Sequence, residues 1–226
     1  MGWHDVLQEA NLASNSPTRD PLTTKYTATL LTPGNVRNMG SLSRNNSRNL
    51  DVDKPLLVLA VDGVLAPRRQ PRDDESWGDW QPVPGAQVHV PVSPAMGAAL
   101  ALLKADRVFC SEWGTRADLL SEALVWGPTT ALRRELPSRW WWKLDAVRAF
   151  LGARPRRPLV WVDSELSSHP EVAGWVLRSR VPSLLISPDP RSGLTRADVE
   201  LVAAFCDEHN SSLHDVESEG STLGGH

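Results

Sequence analysis

The sequence predicts an α/β protein: a parallel sheet covered by helices on both faces, three layers in all, with a small β-hairpin flap. Three observations carry this. Four apolar runs of strand length lie at residues 56–61, 107–110, 157–163 and 183–187. Segments with helical spacing separate or follow them, and this alternation is the signature of a parallel sheet with crossover helices. Three of the strands also end in polar residues, Asp62, Ser111 and Asp163, which the crossover topology gathers at one sheet edge.

Each element has its own signal. Residues 56–61 are six apolar residues in a row, long enough for a buried strand and short for a helix, and Gly63 ends the run. Residues 66–92 follow as a flap. They hold Arg68, Arg69 and Arg72, the acids Asp73, Asp74 and Glu75, the tryptophans Trp77 and Trp80, and then alternating Val88, Val90 and Val92. Ser93 followed by Pro94 is a regular helix start, and the helix runs on through residues 94–105. Residues 107–110 form the second strand, residues 115–124 a helix, and residues 125–142 have no clear assignment. Residues 143–151 show helical spacing through Leu144, Val147, Phe150 and Leu151. A third strand ends at Asp163, a helix covers 169–180, and a fourth strand covers 183–187. In the last helix Thr195 is the N-cap, with Asp198 three residues on.

The ends read differently. Residues 1–50 are rich in Asn, Ser, Thr and Arg around a weakly apolar patch at 26–31, and read as a disordered or loosely attached extension to a domain at 51–209. Residues 210–226 read as a flexible tail.

Composition narrows the function. At 226 residues the chain suits one sizeable domain. A net charge of -3 and a pI near 6.1 leave no global basic footprint for nucleic acid or an anionic membrane. There is no apolar stretch of membrane-spanning length and no apolar core in residues 1–20, so no membrane association or secretion signal is expected. Cys110 and Cys206 stand far apart in apolar runs, as free thiols of a reducing, cytoplasmic protein would. The histidines show no metal-ligand spacing with the cysteines, so no zinc site is expected, and no glycine-rich nucleotide loop is present. Among ten tryptophans, Trp140, Trp141 and Trp142 are consecutive and cannot all face one core. They pack a sheet edge or offer a stacking surface for a base.

The constellation at the strand ends carries the chemistry. Asp62 and Asp163, the hydroxyl of Ser111, and Lys143 at a helix start would converge if the strands are neighbours. Carboxylates hold a hard divalent cation, while an ammonium, a hydroxyl and loop amides neutralise phosphate oxygens. Residues 60–65, Ala-Val-Asp-Gly-Val-Leu, resemble the first motif of the haloacid dehalogenase superfamily, an apolar strand followed by Asp-x-Asp-Gly-Val/Thr-Leu, except at position 60. Ser111 resembles the Ser or Thr of its second motif, Lys143 the lysine of its third, and Val-Trp-Val-Asp-Ser-Glu-Leu at 160–166 its acidic fourth. With Gly193-Leu194-Thr195, residues 55–209 are most similar to small bacterial, mainly actinobacterial, members that resemble the dehalogenase-type domain of RNA-repair proteins.

The resemblance implies a Rossmann-like fold without a large cap domain, and roles for the matching residues. The family's nucleophile and direct magnesium ligand falls at Ala60. Asp62 matches the general acid and base, whose backbone carbonyl also meets the metal, and Ser111 and Lys143 match the phosphate-binding positions. Asp163 matches a metal ligand, with Glu165 as a further candidate. Ala60 and Ser164 each replace a carboxylate, so magnesium is expected to bind weakly or not at all. Asp51-Val52-Asp53 imitates the motif but precedes the strand, at the opposite sheet edge.

The expected function is a catalytically impaired phosphatase-type domain that binds or responds to a phosphorylated small molecule or nucleotide. Two alternatives stay open. One is an active magnesium-dependent phosphohydrolase on small phosphate esters or nucleic-acid ends, with the flap arginines and tryptophans contacting backbone and bases. The other is a protein-interaction module using the tryptophans or residues 1–50. The oligomeric state is not readable.

Overall fold

A computed structural model describes residues 27–31, 54–69, 77–84, 89–134, 141–152 and 157–219, with 27–31, 115 and 211–219 described by backbone alone. The strands are β1 (Thr27–Leu31), β2 (Leu56–Leu59), β3 (Gln81–Pro84), β4 (His89–Val92), β5 (Asp106–Cys110), β6 (Thr130–Leu132), β7 (Leu159–Val162) and β8 (Ser183–Ser187). The helices are α1 (Pro94–Ala101), α2 (Ala117–Ala123), α3 (Trp142–Gly152), α4 (Pro170–Ser179) and α5 (Arg196–Glu219).

Six strands form one sheet in the order β1-β8-β7-β2-β5-β6, parallel except for β1, which runs antiparallel to β8. From β2 the chain moves to β5 and β6 on one side, then crosses to β7 and β8 on the other. The topology therefore switches direction between β2 and β7, where open α/β sheets form their ligand crevice. Asp62 and Asp163 follow these two strands. Among the described residues the predicted three-layer fold, with a separate β3–β4 hairpin and no large cap, is the observed one.

Every residue of β2 and β7 is buried, because both faces of the sheet are covered. Leu57, Leu59, Phe109, Val160 and Val162 pack with residues of α1, α2 and α5. Leu56, Val58, Val108, Cys110 and Trp161 pack with α3 and α4. At the opposite sheet edge the buried Arg157 ties three strand starts together: it donates to the Lys54 carbonyl at 2.5 Å and the Pro55 carbonyl at 3.4 Å, and pairs with Asp106.

The helix starts follow their sequence signals. Ser93 Oγ accepts the Met96 amide at 3.0 Å, and Thr195 and Asp198 exchange bonds, with the Thr195 amide on Asp198 Oδ2 at 2.9 Å and the Asp198 amide on Thr195 Oγ1 at 3.3 Å. The helix expected at 115–124 is split, with a 3₁₀ turn at Gly114–Arg116 leading into α2. At its end the Trp126 amide reaches the Ser121 carbonyl at 2.7 Å and the Val125 amide the Glu122 carbonyl at 3.0 Å. That is a Schellman ending, with Val125 at φ 57° in the left-handed position usually given to glycine.

Three other assignments change. Residues 125–142, left unassigned, contain the edge strand β6. The weakly apolar patch of the N-terminal extension supplies β1; the rest of residues 1–50 and the Asp51–Asp53 imitation lie outside the described residues. The tail expected from 210 continues α5 to Glu219, with residues 220–226 outside the described residues. In the flap, β3 and β4 pair antiparallel from Gln81↔Val92 to Pro84↔His89, while Arg72, Asp73, Asp74, Glu75 and Val88 lie outside the described residues.

Candidate functional site

The loop after β2 is closed by its own backbone. The Val64 and Ala66 amides donate to the Val61 carbonyl at 3.2 and 2.9 Å, and the Gly63 amide donates to the Ala66 carbonyl at 2.8 Å. Gly63 sits at φ 74°, and a Cβ there would lie 2.6 Å from Ser164 Oγ and 2.8 Å from Pro190 Cβ. Glycine is thus required twice over, by backbone conformation and by the approach of the loops after β7 and β8. Gly193 answers the same need from the other side: at φ 71°, a Cβ on it would meet the Val64 carbonyl at 2.5 Å.

This wedge fixes Asp62 at the sheet edge. Its exposed carboxylate accepts the Trp113 indole N–H at 3.1 Å, and its backbone carbonyl accepts the Ser164 hydroxyl at 3.4 Å. Ser111 is buried and shares the same tryptophan, whose amide donates to Ser111 Oγ at 3.5 Å. Ala60 is 1% exposed. Its amide donates to the Val162 carbonyl at 3.0 Å, carrying the β2–β7 pairing past Leu59 and setting Ala60 level with Asp163.

Lys143, Asp163 and Glu165 form the one directly bonded cluster of the predicted set. The Lys143 ammonium donates to Asp163 Oδ2 at 2.8 Å and to Glu165 Oε2 at 3.0 Å. The second oxygen of Asp163 accepts the Glu165 amide at 3.0 Å. Burial works against the charge on Lys143, but Asp163, then Glu165, outweigh it and hold the ammonium above its ordinary value. Glu165 shows the same balance with the opposite sign. Burial pushes its carboxyl up, while Lys143, and after it Arg68 and His169, bring it below the usual carboxylate range.

Aromatic groups that the sequence did not bring together flank this cluster. The Trp141 ring stacks on Trp161 at 5.4 Å and on His169 at 4.1 Å, and Lys143 Nζ lies 5.1 Å from its centroid. The partners of Trp141 come from the chain itself, which answers the choice left open for the tryptophan run in favour of packing at this position. Trp140 lies outside the described residues. In the flap, Trp77 is buried, donates to the Leu194 carbonyl at 2.8 Å and lies under Arg196 at 4.5 Å; Trp80 packs on the core. These two rings fasten the flap to the domain, Trp77 buried and Trp80 half-buried. The only advance signal for the Trp113–Asp62 bond is Trp113's place two residues after Ser111.

The donor set does not suit magnesium. A hard cation needs several oxygen ligands, yet Ala60 offers none, both Asp163 oxygens are engaged, and Glu165 holds Lys143. Among the described residues no three His, Cys, Asp or Glu side chains converge to hold a metal. Asp62, Asp163 and Glu165 set three negative charges against Lys143 and Arg68. Cys110 and Cys206 are buried free thiols; burial pushes both up, Cys206 to about 12. No helix of the described residues is long and apolar enough to cross a membrane.

No protein-family model, curated protein or solved structure matches the chain.

Proposed function

We propose that the chain is a haloacid-dehalogenase-like, phosphatase-type domain that has lost its nucleophile at Ala60 and serves as a phosphate-ligand binding or regulatory domain. The observation that carries this reading is Ala60 level with Asp163 at the topological switch point, beside a buried lysine already held by two acids. A methyl group has no lone pair to attack phosphorus. The remaining carboxylates do not replace it: Asp163 and Glu165 are bonded to Lys143, and Asp62 is held by Trp113. Losing a nucleophile costs about a million-fold in turnover in a well-measured hydrolase. Lys143 and the Ser111 hydroxyl are the groups left to meet phosphate oxygens, on a small phosphorylated molecule or nucleotide. Two buried free thiols fit a reducing, cytoplasmic setting.

The test is hydrolysis of an aryl phosphate with magnesium by the wild type, Ala60→Asp and Asp62→Asn. The wild type is expected to match Asp62→Asn at background. Wild-type turnover equal to that of Ala60→Asp, dependent on magnesium and lost in Asp62→Asn, would establish a working phosphohydrolase instead.

A further inference from the structure

We infer that the Glu165 carboxylate occupies, on the Lys143 ammonium, the place a phosphate oxygen would take, so that the chain carries its own competitor for an oxyanion ligand. This rests on the phosphate-binding reading above and adds its regulation. An ammonium has three donors, and two are used here, by Asp163 Oδ2 and Glu165 Oε2. The two acids differ in what releasing the lysine would cost them. Asp163 is 0% exposed and would be left as a buried, unpaired charge. The Glu165 side chain is 44% exposed and can turn into water.

The surroundings of Glu165 suit an anion. Lys143 from α3, Arg68 from beyond the β2 loop and His169 before α4 all act on its carboxylate, from three separate parts of the chain. With Glu165 in place the local balance of Asp62, Asp163 and Glu165 against Lys143 and Arg68 is one net negative charge. Without it the balance is neutral, and a dianionic phosphate approaches without that repulsion. A phosphate monoester or free phosphate is the fitting ligand class.

The experiment is titration calorimetry of inorganic phosphate, without magnesium, into the full-length wild type, Glu165→Gln, Glu165→Ala, and Glu165→Ala combined with Lys143→Met and Asp163→Asn. Folding of each is checked by circular dichroism. Both single variants are expected to bind phosphate at least about tenfold more tightly than the wild type, about 1.4 kcal/mol, and the triple variant to lose that gain. Equal, saturable binding by the wild type and the single variants, still lost in the triple variant, would overturn the competitor role while leaving the phosphate site standing. No phosphate binding by any of them would overturn both.

Discussion

Replacing Lys143 by Met should be among the most destabilising single changes in the protein. Methionine keeps an unbranched stem but deletes the ammonium that serves Asp163 at 2.8 Å and Glu165 at 3.0 Å. Glu165 can reach water. Asp163, at 0% exposure, cannot, and its Oδ2 is left without a partner. Removing one member of a buried ion pair costs about 3–5 kcal/mol, most of it the penalty of the charge left behind. For a chain of this size each kcal/mol moves Tm by about 2–4 °C, so the midpoint should fall by about 6–20 °C. Adding Asp163→Asn removes the stranded charge, keeps an acceptor for the Glu165 amide, and should restore at least half of the loss. Thermal and denaturant unfolding followed by near-UV circular dichroism measures both variants. A loss below about 1 kcal/mol, the scale of an exposed pair, or no recovery in the double variant, would refute the description of this pair as desolvated.

Val125→Gly should raise stability by about 1 kcal/mol, because Val125 is a β-branched residue at φ 57° and 80% exposed, so strain is relieved and little packing is lost; a lower Tm would contradict this. Comparing the wild type with Glu165→Gln across pH isolates the Glu165 contribution. Its carboxyl is held below the usual carboxylate range, so the stability it adds is present above the ordinary glutamate value and is lost as the pH falls through the lowered one. The two unfolding curves should therefore differ near neutrality and converge in acid, and a gap that widens in acid would invert the assigned sign. Deleting residues 1–50 removes β1 and bares the edge of β8, whose sequence Ser-Leu-Leu-Ile-Ser is apolar at its centre. Size exclusion with light scattering should show larger species, and an unchanged profile would mean that β1 does not protect that edge.

The elements legible in the sequence are those whose signal is local. The apolar run of β2, the Ser93-Pro94 start of α1 and the Thr195–Asp198 cap each carry their own instructions, and the structure realises them. What escaped depends on partners far away in the chain. β6 has three residues and no alternation, so it is a strand because β5 offers it a parallel edge. β1 exists through its pairing with β8 in the same way. The polar stretch after Asn210 shows no apolar period, yet it continues a helix begun fourteen residues earlier at Arg196. At the site, Asp62, Ser111, Lys143 and Asp163 were recognisable from their positions at strand and helix ends. The bonds from Lys143 to Glu165 and from Trp113 to Asp62 were not, because they span 22 and 51 residues and follow from strand order.

The most direct test of the lost nucleophile is a trapping experiment. The wild type and Ala60→Asp are incubated with magnesium and an aryl phosphate or acetyl phosphate, quenched in acid, and examined by intact-mass and hydroxylamine cleavage for an aspartyl-phosphate. No phosphorylated wild-type protein is expected. A hydroxylamine-sensitive phosphate on any carboxylate of the wild type would show that another acid strikes phosphorus, and that Ala60 does not mark a disabled site.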